Sequence, residues 1–227
     1  MEKEKLYMNQ MTQQKLYKLF GLRKVSNNKI LNNWLSDLPS LNKEEITISK
    51  FYQGRLLDNL EVWNEQELSL GFIGPILNLV KFTIPYRLNL FAQRPLSGVI
   101  DNYELIGKPD GILASGFQEP EMPFFAFQEY KKDINSSGDP AAQNLAAMLI
   151  GQQQNEDNSV IYGCYVVGRF WYFMVLKGKE YTISKDYSTT DDGIFEVVKI
   201  LKALRSILFK KLGIEEEIEK EEQVPSK

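Results

Sequence analysis

An apolar run that ends abruptly in charge constrains this chain more than any other feature. Pro123-Phe124-Phe125-Ala126-Phe127 passes without a break into Gln128-Glu129-Tyr130-Lys131-Lys132. A short, phenylalanine-rich run behind a proline predicts a strand. Because it begins apolar on both faces, that strand belongs inside a sheet rather than at its edge. Side chains two apart on a strand share a face, so Glu129 and Lys131 point together while Tyr130 turns away. A carboxylate emerging from such a strand is costly to bury unless it is paired or bound to a cation.

Composition narrows the chemistry. The chain has no histidine, which removes Ser-His-Asp and Cys-His catalysis and every histidine-based metal site. Its single cysteine, Cys164, lies within the apolar run "VIYGCYVVG" and reads as a small core residue. With no disulfide framework or zinc-type cluster, a reducing cytoplasm is the expected location. What remains is carboxylate, lysine and tyrosine, which suit a hard, oxygen-liganded ion such as Mg²⁺ or Mn²⁺. A net charge of −3 argues against a general nucleic-acid coat protein but not against a nuclease. No apolar run reaches the length of a membrane span, and the N-terminus lacks a signal-type apolar segment.

The remaining pattern predicts an α/β fold with a mixed sheet flanked by helices. Residues 1–60 read as an N-terminal helical extension, with amphipathic helices over 1–20 and over 26–40. A further helix starts near Glu61, kinked or divided at Gly74-Pro75. From Pro85 to Lys132 the short apolar runs predict three strands of an antiparallel meander. Asp139 as N-cap and Pro140 at the first helical position open a helix over 136–154. Two or three strands follow, turning at Gly168-Arg169 and Lys177-Gly178. A last helix over 189–213 presents Phe195, Val198, Leu201, Ile207 and Leu208 inward and is capped by Gly213. The acidic segment 214–227 reads as a frayed, disordered tail.

Gly107-Lys108-Pro109-Asp110, a following strand, and Glu129-Tyr130-Lys131 resemble the PD-(D/E)xK nuclease signature of the restriction-endonuclease-like superfamily. The resemblance covers about residues 60–210 and implies an α-β-β-β-α-β core spanning 61–213. Many members place a glutamine on the helix after the lysine strand, where Gln143 stands. Many also carry a glutamate on an early helix, which "WNEQELSLGFIGPIL" resembles, with Glu65 the first choice and Glu67 the second. The resemblance implies Mg²⁺- or Mn²⁺-dependent hydrolysis of DNA phosphodiesters. Asp110, Glu129 and Glu65 would be the metal ligands, with a backbone carbonyl near Tyr130 as a further one. Lys131 would orient or activate the attacking water, and Gln143 would position the substrate. As a base, Lys131 needs a depressed pKa.

Each residue also has a plainer reading. Asp110 before Gly111 can be a turn residue, Glu129 and Lys131 an edge ion pair, Glu65, Glu67 and Gln143 solvated helix positions, and Lys132 a surface or phosphate-contacting residue. Phe170-Trp171-Tyr172 fits the core better than base stacking. Two functional expectations therefore stand side by side. One is an active nuclease, acting on DNA as a homodimer or with a separate targeting subunit. The other is a catalytically degenerate relative that binds nucleic acid or a partner protein, or serves as an assembly subunit.

Overall fold

The computed structural model describes residues 3–133, 138–155 and 159–214. Two sheets organise the chain. The larger contains β2 (Arg23–Lys24), β3 (Asn89–Ala92), β6 (Gly111–Ser115), β7 (Glu121–Lys131), β8 (Ile161–Val167), β9 (Phe170–Lys177) and β10 (Glu180–Ser188). Their order across the sheet is β2-β10-β9-β8-β7-β6-β3. The smaller sheet is β1 (Glu4–Tyr7), β5 (Tyr103–Gly107) and β4 (Leu96–Ile100), with β5 in the middle. β3, β6 and β7 pair antiparallel, and so do β8, β9 and β10. Between these groups β7 and β8 run parallel, Glu129 opposite Tyr165. A parallel step needs a crossover, and α6 (Pro140–Asn155) supplies it. The sheet is therefore mixed, with β7 paired on both sides, as its apolar start requires.

Both faces of the large sheet are covered. On one, Phe125, Tyr130, Trp171 and Phe173 meet α2 (Lys29–Ser36), α3 (Lys43–Asn59), α5 (Gly74–Leu79) and α7 (Gly193–Leu212) through Trp34, Leu56, Ile76 and Val197. On the other, Phe127 and Met174 meet α6 and α1 (Gln13–Phe20) through Leu145, Met148 and Leu16. Helix α6 packs so closely that a Cβ on Gly151 would collide with the Phe127 ring. Asn144, buried on the same helix, donates to the Cys164 carbonyl at 3.1 Å. Cys164 itself is buried in the core.

Capping explains where the helices begin. Asp139 Oδ1 accepts from Ala142 N at 3.0 Å at the start of α6, Asn28 caps α2, and Gly213 ends α7 in the left-handed region at φ 65°. Asn42 and Glu45 form a reciprocal capping box that starts α3 at Lys43, an additional helix that ends at Asn59, and the helix expected from near Glu61 begins at Glu65. At Gly74-Pro75 the chain stays helical. A π turn over Ser69–Ile73 widens the helix between α4 (Glu65–Leu68) and α5 and accommodates the proline ring, so nothing divides there.

Three expectations are corrected. The first twenty residues are not one helix: β1 pairs parallel with β5, a 3₁₀ turn spans Met8–Gln10, and Thr12 caps a helix that begins only at Gln13. The segment up to residue 60 thus contributes strands β1 and β2 as well as helices. Residues 85–132 hold five strands rather than three, because β4 and β5 form a hairpin that leaves the main sheet and pairs with β1. The second hairpin turn falls at Gly178-Lys179, with Lys177 still paired to Glu180. The tail from residue 215 lies outside the described residues. No described helix is long and apolar enough to cross a membrane.

Candidate functional site

Asp110 stands at the entry to β6, Glu129 and Lys131 at the end of the neighbouring β7. The turn reading of Pro-Asp-Gly does not hold. Gly111 is the first residue of β6 without a positive φ, and it is small because a Cβ there would lie 2.5 Å from Gln128 Oε1. The Asp110 carboxylate is fixed from two sides: Oδ2 accepts from Tyr130 N at 2.7 Å, and Gln93 Nε2 approaches Oδ1 at 3.4 Å. Gln93 is not among the residues the sequence points to. It sits just beyond β3 in the left-handed region, φ 50°, with its own N–H on the Asp110 carbonyl at 3.1 Å. A glutamine in a connecting loop carries no signal of such a role in sequence.

Glu129 is 7% exposed, and Lys131 folds back over it. Lys131 Nζ donates to Glu129 Oε1 at 2.9 Å and to the Tyr130 carbonyl at 3.0 Å, and Glu65 Oε2 lies 3.6 Å away. Three oxygens from α4 and β7 are thus gathered onto one cation. The two early-helix glutamates separate cleanly. Glu67 is the helix cap partner, its Oε2 accepting from Asn64 N at 2.7 Å, whereas Glu65 turns to Lys131. Lys132 takes a different direction, its Nζ 3.4 Å from the Glu61 carbonyl.

Gln143, in the first turn of α6, is also 7% exposed, so it is not the surface position its alanine-rich helix suggests. Gly138, at φ 101°, passes so close to its amide that only a glycine fits. Gln143 and Glu129 line one cavity of about 350 Å³, walled by Tyr7 at the end of β1, by Met8 in the 3₁₀ turn that follows, and by Gly107 and Lys108. The aromatic run on β9 divides. Trp171 is fully buried, Tyr172 stacks on Tyr165 at 4.5 Å, and Phe170 lies at the strand's start, half-buried.

The electrostatics follow from this packing. Burial raises the Asp110 carboxyl above its ordinary range, against the pull of the Tyr130 amide and the Lys131 charge. Burial, followed by the Asp110 charge, pushes Glu129 up to about 7 despite Lys131. For Lys131, burial acts downward, but the Glu129 charge and hydrogen bond outweigh it, with help from Glu65 and Asp110, and the net direction is up. The depressed pKa that a lysine base requires is therefore not what this geometry gives. Lys131 is held as an ammonium.

The donor set is compatible with a hard cation. Two carboxylates on adjacent strands and one carbonyl are the kind of partial shell Mg²⁺ accepts while keeping several waters. Glu129, whose charge is costly where it lies, gains most from such an ion. Among the described residues no three His, Cys, Asp or Glu side chains form a ready-made cation cluster. Compared with models of known families the sequence matches none, and no curated protein matches it.

Proposed function

We propose that this chain is a metal-dependent nuclease that hydrolyses DNA phosphodiester bonds, with Asp110 and Glu129 as ligands of Mg²⁺ or Mn²⁺ and a restriction-endonuclease-like core. The observation that carries the reading is the convergence at the end of β7. A buried Glu129 carboxylate, the Tyr130 carbonyl and Glu65 surround one cationic nitrogen, one strand from an Asp110 held by the Tyr130 amide. The succession α5, β3, β6, β7, α6, β8 supports the core assignment. It follows an α-β-β-β-α-β order with the β4–β5 hairpin inserted after the first strand.

The bound cation would supply a polarised phosphate oxygen and an acidified water. The protein's own groups do the rest. The Tyr130 amide fixes the Asp110 carboxylate, so this ligand needs little reorganisation. Lys131, kept charged, swings from Glu129 to the phosphate, orients the water and offsets charge growing on the phosphoryl oxygens. Gln143, on the wall shared with Glu129, positions the strand. Glu65 is the outermost carboxylate, its side chain 45% exposed, and acts on Lys131.

The test is incubation of the purified chain with linear, supercoiled and single-stranded DNA in Mg²⁺ or Mn²⁺. Cleavage is expected, with Asp110→Ala and Lys131→Ala each lowering the rate by about a hundredfold or more. Absence of cleavage on every substrate would refute the reading. A second reading, a nuclease-like fold that only binds nucleic acid or protein, draws on the same contact. Lys131 already neutralises Glu129 without a metal. Binding of DNA that is neither followed by cleavage nor strengthened by Mn²⁺ would favour it.

A further inference from the structure

A second concavity opens at Lys132, the residue after Lys131. It encloses about 420 Å³, within the ordinary range for small-ligand pockets, and is lined by Leu60, Val167 and Phe170 together with Lys132 and Arg169. It shares the α3–α4 connection with the candidate site, since Glu61 meets Lys132 and Glu65 meets Lys131.

The turn carrying Arg169 is held firmly. Gly168, at φ 58°, donates to the Lys131 carbonyl at 2.8 Å and runs so close to Lys132 that a Cβ would lie 2.8 Å from its carbonyl oxygen. The Arg169 carbonyl accepts from both Thr189 N at 3.0 Å and Thr189 Oγ1 at 2.9 Å, and Thr189 is fully buried. Backbone fixed on both sides thus presents an exposed arginine. Its guanidinium lies 4.9 Å over the Phe170 ring, and among the described residues it makes no ion pair.

We propose that this cleft receives one unpaired nucleotide of a DNA strand, next to the phosphodiester at Lys131. The phosphate rests on Arg169 and Lys132, and the base packs against Phe170, Leu60 and Val167. The proposal rests on the nuclease reading for the placement of the neighbouring phosphate. A base in a duplex is stacked and paired and cannot enter a concave apolar pocket, whereas a single-stranded base offers its face to aromatic and guanidinium planes. Glu61 and Asp133, which also line the cleft, suit a base bearing amino donors rather than a second phosphate.

Fluorescence anisotropy with the full chain in Ca²⁺, using a labelled single-stranded oligodeoxynucleotide and its duplex, tests this. The single strand should bind more tightly. Arg169→Ala should weaken it by about tenfold and lower the salt slope by about one, with Arg169→Glu weaker still and unchanged melting temperatures. Preference for the duplex, no binding of either, or single-strand affinity unaltered by both Arg169 variants would overturn the proposal. Cleavage is read separately. Arg169-dependent binding without cleavage leaves the cleft standing and removes the nuclease reading. Asp110-dependent cleavage with Arg169-independent binding removes the cleft alone.

Discussion

Two consecutive stretches of β7, Phe124 to Phe127 and Gln128 to Lys131, are both largely buried and differ in what burial costs them. From Phe124 to Phe127 the strand is apolar on both faces, and each ring finds a partner: Phe125 on the α7 side, Phe127 against Gly151 and Phe124 on the α6 side. From Gln128 to Lys131 the strand stays paired with β8 while its ladder with β6 ends at Gln128, and it carries an amide, a carboxylate, a phenol and an ammonium. Burial stabilises the first stretch and penalises the second, where it raises Glu129 to about 7. A polar end maintained inside a sheet that could have stayed apolar is a pointer to chemistry.

Four substitutions test that contrast. Phe127→Ala in the apolar stretch opens a cavity beneath α6 and should lower stability by about 3–5 kcal/mol, seen in urea unfolding. In the polar stretch, Glu129→Gln should behave in a pH-dependent way. The folded carboxyl titrates near 7 against an ordinary 4.5. The wild type therefore keeps its full stability below 4.5 and loses it as pH rises through 7. In EDTA the Gln variant should gain about 3 kcal/mol on the wild type between pH 4 and pH 8. A gap independent of pH would mean that Lys131 fully compensates Glu129. The smallest effect separates two neighbours on one helix. Glu67→Ala breaks a capping box and should cost about 0.5–1 kcal/mol, whereas Glu65→Gln should leave stability within about 0.5 kcal/mol while altering DNA cleavage.

Sequence pattern reached the features set by local chemistry. The Asp139-Pro140 start of α6, the Gly213 stop of α7, the Gly168 turn and the interior place of β7 all follow from residues near each other in the chain. Two further features had signals that were present. Asn42-x-x-Glu45 marks the start of the additional helix α3, and Asn64-x-x-Glu67 assigns the second-choice Glu67 to a cap, which leaves the first-choice Glu65 for Lys131. Others had none. That β4 and β5 desert the main sheet to pair with β1 is decided by long-range register, and so is the arrival of Gln93 at Asp110. Burial of Gln143 likewise depends on the N-terminal segment that closes its cavity.

In the proposed function the buried end of β7 is a cation site completed by Asp110. Calorimetric titration with Mn²⁺ tests it most directly. Because a cation competes with the proton on Glu129, wild-type affinity should rise about tenfold from pH 6 to pH 8. That rise should vanish in Glu129→Gln, and Asp110→Asn should bind at least about tenfold more weakly at either pH. No Mn²⁺ binding by the wild type, or an affinity indifferent to pH and to both substitutions, would contradict the account.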